Sequence, residues 1–428
     1  MAEVVDRLFV HCKELVTLAD GPPTGPRRGA AMRQLGVVGD GAVAVRDGRI
    51  VAIGSTERVA RDYRGKDELD LSGHVVMPGF VDCHTHPVFA TTREHEFHLR
   101  CAGADYMAIA AAGGGILSSM RAVREMDAAA LAARTERHLW GFLGHGTTTI
   151  EAKSGYGLSL ADEQKSLRAL AAASRNVPLT CKRTFLGAHE FPPEYRNDRD
   201  AYVRLLCDEM MPAMVGLADS CDVFAEPGVF DRAQTERILT AARRHGLRLR
   251  LHADEIQPMG GAELAVQLGA DSADHLGRIS EAGIAAMASS DTVGVLLPGT
   301  ILFLAKPHYA PARRMIDAGC VVAIATDFNP GSCHTQSMTL VQTLACCQMK
   351  MTAEEVITAA TINPAFSLQL DGEVGTLHVG KRADLCVLDM PSWRAVGYMF
   401  GGNPVVLTVK DGVPALANVR EQQPDWGR

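Results

Sequence analysis

No excess of positive charge runs through this chain: 43 Lys and Arg stand against 50 Asp and Glu, for a formal net charge of −7. A basic footprint for a phosphate backbone is missing, which argues against nucleic acid as a partner. The same balance does not forbid an anionic substrate, because one Arg in a pocket outweighs a mild global field. No C-x-x-C pair occurs, and the eleven cysteines are odd in number and scattered, as at Cys12, Cys101, Cys181, Cys221 and Cys386. That pattern speaks against a disulfide framework or a zinc knuckle and for reduced thiols. No uncharged apolar run approaches bilayer length, so no membrane partner is expected. The first residues, Met1 to Asp6, are acidic and lack a charged-then-apolar signal pattern. A cytoplasmic location is the expectation.

What is present is bulk. The 428 residues are 47% hydrophobic and 22% charged, enough for one large barrel with an accessory domain or for two or three ordinary domains. Residues 8–18, 42–53 and 68–77 read as β segments, and Asp47-Gly48 between apolar runs signals a hairpin. The Gly-, Pro- and Arg-rich stretch 21–33 reads as an exposed loop. β character returns at 384–389 and 405–409, followed by Asp411-Gly412 as a turn. The two ends are therefore expected to form one small β-sandwich domain from segments 1–78 and 371–428.

The middle, 79–370, alternates differently. Apolar strand-like runs fall at 75–83, 147–151, 179–186, 221–224, 247–251, 272–274, 293–297 and 321–325. Helical patterns separate them at 128–144, 162–175, 201–217, 231–245, 261–268, 281–287 and 312–318, with another at 337–349. Eight strand–helix units predict an α/β fold of the (β/α)8 TIM-barrel type. A doubly wound open sheet gives the same alternation, so periodicity leaves closure open. The polar residues discriminate better.

Pro78-Gly79-Phe80-Val81-Asp82-Cys83-His84-Thr85-His86-Pro87 is the sharpest feature. Residues two apart on a strand share a side, so His84 and His86 can bind one ion while Thr85 faces away. Alone, an H-x-H is weak; here it ends an apolar strand and meets a Pro. His252 closes the run from Leu247, and Asp327 closes the run from Val321. A lone strand histidine is more often structural, but four such groups at strand ends favour a shared metal, since functional groups of barrels collect at that face. His275 ends the sixth strand and can donate a proton or stabilise charge beside the metal. Glu255, three residues after His252, can move protons, although a surface or helix-start carboxylate is an equal reading of it. His189 ends the third strand, as a substrate partner or a plain loop histidine.

Taken together, these residues resemble the amidohydrolase superfamily and, more narrowly, the imidazolonepropionase family of histidine degradation. The broader likeness rests on Pro-Gly-x-x-Asp-x-His-x-His, the closing Asp327 and Gly380-Lys381-Arg382-Ala383-Asp384-Leu385. The narrower one rests on Glu151-Ala152-Lys153-Ser154-Gly155-Tyr156-Gly157, Gly187-Ala188-His189, His252-Ala253-Asp254-Glu255 and Asp327-Phe328-Asn329-Pro330-Gly331-Ser332. The likeness covers essentially the full length. Many superfamily members bridge two metals with a carboxylated lysine ending the fourth strand; here that place reads Phe224-Ala225-Glu226, and Lys153 ends the second strand instead. One divalent metal per chain is therefore expected, Zn2+ or Fe2+, with Fe3+ also compatible, and Lys153 is expected to be structural or salt-bridging.

The resemblance implies hydrolysis of the lactam C–N bond of 4-imidazolone-5-propanoate to N-formimidoyl-L-glutamate. A bound metal lowers the pKa of its water from about 16 to about 7. By the same resemblance, Asp327 takes the water proton while remaining a ligand, His275 polarises the carbonyl, and Glu255 serves the leaving nitrogen. The substrate's carboxylate calls for a cation, and Arg93 is the family-matched residue; Arg binds carboxylates in a bidentate fork, against the plainer reading of a solvated loop charge. Tyr106 and Tyr156 match substrate contacts, though packing explains a tyrosine equally well. Asn329, Gly331 and Ser332 would line the ring-binding side, and a homodimer is implied. A deaminase of purines, pyrimidines or related rings shares the metal constellation and is the rival reading, set apart by Arg93 and the Ser154–Gly157 segment. A non-enzymatic relative is a third reading, weakened because all four ligands are present.

Overall fold

The computed structural model describes residues 2–103 and 114–418, arranged around two eight-stranded sheets. The first sheet begins with β1 (Glu3–Val16), β2 (Val37–Arg46), β3 (Arg49–Ser55), β4 (Tyr63–Asp70) and β5 (Val75–Pro78). β2 and β3 meet at Asp47-Gly48, where both residues take positive φ (51° and 74°), as a two-residue hairpin of the primed kind requires.

The second sheet is the barrel: β6 (Phe80–Asp82), β7 (Thr147–Lys153), β8 (Thr180–Ala188), β9 (Ser220–Ala225), β10 (Arg248–Ala253), β11 (Ser272–His275), β12 (Val293–Leu296) and β13 (Val322–Ile324). Each pairs in parallel with the next. The seam between β13 and β6 is closed partly by a side chain: the Asp82 carboxylate accepts Thr326 N at 3.1 Å and Thr326 Oγ1 at 2.5 Å. Beyond it, Asp327 N donates to the His84 carbonyl at 3.1 Å and His86 N to the Phe328 carbonyl at 2.8 Å. Closure and the H-x-H motif are thus built by the same few residues.

The chain then returns to the first sheet as β14 (Leu385–Leu388), β15 (Val405–Lys410) and β16 (Val413–Ala417). β14 lies antiparallel to β5, which joins the two ends of the sequence. β1 forks, pairing with β4 along its first part and with β5 near its end. Phe9, Leu15, Val43, Val76, Leu385 and Val409 fill the space enclosed.

Three sequence expectations change. The run 75–83 is not one strand: it breaks at Gly79, whose position leaves no room for a Cβ against the Thr148 side chain, and passes from one sheet to the other. The helix expected over 201–217 divides into Arg199–Leu205, a wider π turn Leu206–Met210 and Met211–Met214. Pro212 is the reason, because its ring and missing N–H disturb the regular ladder. The stretch 21–33 is no simple exposed loop. Arg27 is 1% exposed, its guanidinium donating to the carbonyls of Leu18, Pro22 and Gln34 while its backbone pairs with the Asn363 amide. Its five donors make burial tolerable where so many carbonyls converge.

Helix Ala128–Gly144 falls on the expected span and is capped by Asp127, whose side chain accepts from the N–H groups of Ala129 and Ala130.

Candidate metal centre

His84 and His86 leave the end of β6, His252 lies near the end of β10, and Asp327 follows β13. All four are nearly dry, at 0%, 3%, 3% and 2% exposure. The Nε2 atoms of His84 and His86 lie 3.3 Å apart, and Asp327 Oδ1 is 3.7 Å and 3.5 Å from them. The His252 ring sits 4.6 Å from that of His84 and 5.5 Å from that of His86.

The outward nitrogens explain the inward ones. His84 Nδ1 is 2.6 Å from Asp274 Oδ2 and His252 Nδ1 is 3.1 Å from Asp222 Oδ1, so each Nδ1 carries the proton and each Nε2 presents a lone pair. Thr300 Oγ1 donates to Asp327 Oδ2 at 2.5 Å, leaving Oδ1 toward the imidazoles. Burial holds His84 and His86 well below the ordinary imidazole range, which keeps them neutral. Lone pairs and a carboxylate oxygen converging in a dry site repel one another unless a cation lies between them. The donor set fits a divalent metal.

His275 Nε2 lies 3.6 Å from Glu255 Oε2, and Lys306 Nζ lies 3.1 Å from Glu255 Oε1. Burial alone would raise the Glu255 carboxyl, but His275 and Lys306 carry it down to about 2. The turn bearing Glu255 is held by Glu226, which accepts the N–H groups of residues 255, 256 and 257. Backbone strain gathers at these strand ends: Asp254, His275, Leu276 and Asp327 all take positive φ without being glycine.

The remaining sequence-derived residues within the described part of the chain lie around this centre. His189 gives Nδ1 to the Gly155 carbonyl at 2.9 Å, and its ring stacks 5.3 Å from His86. Tyr156 lies 5.2 Å from the His189 ring, on a loop whose N–H groups at 155, 157 and 158 all point at the buried Glu163. Arg93 makes two contacts to Glu96, of 2.9 and 2.6 Å, and packs so closely on Gly331 that a Cβ there would strike its guanidinium. Asn329 braces its own loop, donating to the Asp327 carbonyl and accepting Gly331 N and Ser332 N. Tyr106 lies outside the described residues.

Sequence reading missed Lys306, Asp222, Asp274, Glu226 and Glu163. A charged residue inside an apolar strand, as in Cys221-Asp222-Val223, was the one available signal.

A model described as the amidohydrolase family matches residues 75–415, and an imidazolonepropionase-like composite domain of bacteria matches 41–65. The imidazolonepropionase of Symbiobacterium thermophilum is 49% identical over 414 residues, covering 95% of this chain and 96% of that protein. That of Geobacillus kaustophilus is 46% identical over 412 residues, covering 95% and 97%. Among solved structures, a zinc-bound adenosine deaminase from Xanthomonas campestris superposes with a TM-score of 0.73 at 21% identity, covering 97% of this chain and 94% of that one. The E. coli guanine deaminase reaches 0.73 at 16%, covering 96% and 99%. At those identities the two deaminases share the fold alone. Identity of 49% sustained over nearly the whole length reaches much further, and the chain belongs to the amidohydrolase family and, within it, to the imidazolonepropionases.

Proposed function

We propose that the chain hydrolyses 4-imidazolone-5-propanoate to N-formimidoyl-L-glutamate, a step of histidine degradation. Beside the family relationship, the basic and phenolic flank of the site supports this reading. Arg93 stands near enough to Tyr156 and His189 to act on the charge state of both, where a substrate carboxylate would sit. Burial raises the phenol of Tyr156 above its ordinary range, so it remains a hydrogen-bond donor.

His84, His86, His252 and Asp327 would hold one divalent ion, for which Zn2+ and Fe2+ are both suitable. When bound, such an ion acidifies a water molecule and polarises a carbonyl. Asp327 takes the proton of the attacking water. The water oxygen joins the ring carbonyl carbon, the C–N bond breaks, and the ring nitrogen leaves with a proton. His275 polarises the carbonyl, and Glu255, steadied by Lys306, takes that proton over from Asp327 and passes it to the ring nitrogen. Arg93, Tyr106, Tyr156 and His189, with Asn329, Gly331 and Ser332, bind the substrate. Residues 79–370 form the catalytic unit in this proposal, with 1–78 and 371–428 as the unit beside it. A cytoplasmic homodimer is part of it as well: all eleven cysteines are free, and light scattering at twice the 45.8 kDa chain mass tests the dimer.

The decisive assay follows the ultraviolet absorbance of freshly made 4-imidazolone-5-propanoate with and without a chelator. Chelator-sensitive formation of N-formimidoyl-L-glutamate is the expected result. Ammonia release from guanine or adenosine, with no turnover of the imidazolone by metal-replete protein, would overturn it.

A further inference from the structure

Beneath the metal centre the barrel is filled with charge. Glu151 and Lys153 are two apart on β7, so both side chains enter the barrel, and both are 0% exposed. The Lys153 ammonium is 2.8 Å from Glu151 Oε1, 2.7 Å from Asp222 Oδ2 and 4.0 Å from Asp274 Oδ2. Those last two carboxylates are the ones that hold His252 and His84 by their outward nitrogens. Arg250, also dry, approaches Glu151 from another side at 4.0 Å and bonds Ser367 Oγ, so it does not replace the lysine between the two aspartates.

We infer that Lys153 is a positioning residue for the metal centre: its single ammonium pins Asp222 and Asp274 in the places from which they orient His252 and His84. Two carboxylates facing each other in a dry cavity repel strongly without a cation between them. If they move apart, both imidazoles lose the partner that aims Nε2. Loss of such an outer partner lowers metal affinity by about 10–100-fold. The inference rests on the metal assignment made above. A lysine serving only to bind the strands together would affect stability without reaching the metal through Asp222.

The test uses the demetallated full-length chain titrated with zinc against a chromophoric chelator. Wild-type protein is the control for the metal assignment: failure to take up one ion per chain would sink that assignment itself. Given wild-type uptake, K153M is expected to bind zinc about 10–100-fold more weakly. D222N is expected to weaken binding as well, and K153M/D222N to be no worse than D222N by more than about threefold, because both changes disable one device. Should K153M fail to fold, E151Q/K153M removes the ammonium together with one carboxylate, keeps the charge balance, and carries the same prediction. Wild-type zinc affinity in a folded lysine variant overturns the inference, as do independent, multiplying losses in the double variant.

Discussion

The two sheets of this molecule bury their interiors equally well and fill them with opposite chemistry. The terminal sheet encloses Phe9, Leu15, Val43, Val76 and Leu385, all at 0% exposure, as alternating strands ordinarily do. The barrel encloses Glu151, Lys153, Asp222, Arg250 and Asp274, none above 1% exposure, where branched apolar layers are the usual filling. Apolar burial contributes about 25 cal/mol per Å2 and needs no particular partner. Buried charge is unfavourable unless each group meets its complement, so its gain lies in placement rather than stability. One interior is filled by apolar area; the other is a set of matched charges.

That contrast can be broken by mutation. His275→Asn, on the barrel side, should lower turnover by roughly 10²–10⁴ with metal content intact. Steady-state kinetics beside metal analysis checks this, and unchanged turnover removes His275 from the chemistry. Leu15→Ala, in the terminal sheet, should cost about 2–5 kcal/mol of stability yet leave kcat and KM as they are below the melting range. Thermal unfolding and rates at low temperature decide it; a kinetic defect in folded protein would mean that the two regions are coupled. Arg93→Ala should raise KM by roughly 10–100-fold, the worth of a charged hydrogen bond, with the ion retained. A KM near wild type would defeat the carboxylate assignment.

The smallest expected effect concerns His138, on the helix that packs between barrel and loop. It bonds the Pro87 carbonyl, and burial first of all depresses its ring from 6.5 to about 4. Between those values the unfolded chain takes a proton that the folded ring refuses. Its share of stability is therefore present above pH 6.5 and is lost as pH falls toward 4. His138→Gln should flatten the stability–pH curve in that window, measured by denaturant unfolding.

Legibility followed the range of the interaction. His84 and His86 could be paired on paper because i and i+2 on a strand share a face whatever surrounds them. Asp47-Gly48 announced its hairpin because the turn is made within the dipeptide itself. The break at Gly79 was hidden because it depends on Thr148, sixty-nine positions on, pressing against that spot. Pro212 was visible and should have divided the helix over 201–217. Arg27 lay in a stretch that read as an exposed loop, since nothing local reveals the carbonyls of Leu18, Pro22 and Gln34 that surround it. Lys153 could be excluded as a metal-bridging residue from its strand, whereas its partners could not be named.

The sequence by itself determined the alternation of strands and helices, the strand ends at which His84, His86, His252 and Asp327 stand, and the family, because each is written in spacing or in contiguous motifs. Tertiary structure alone decided which carboxylates stand behind which histidines. Asp222 and Asp274 come from strands on either side of β10 and reach Lys153 only once the parallel strands are in register. Local rules cannot express that arrangement, since a buried charge is defined by partners that only chain closure brings within a few ångströms.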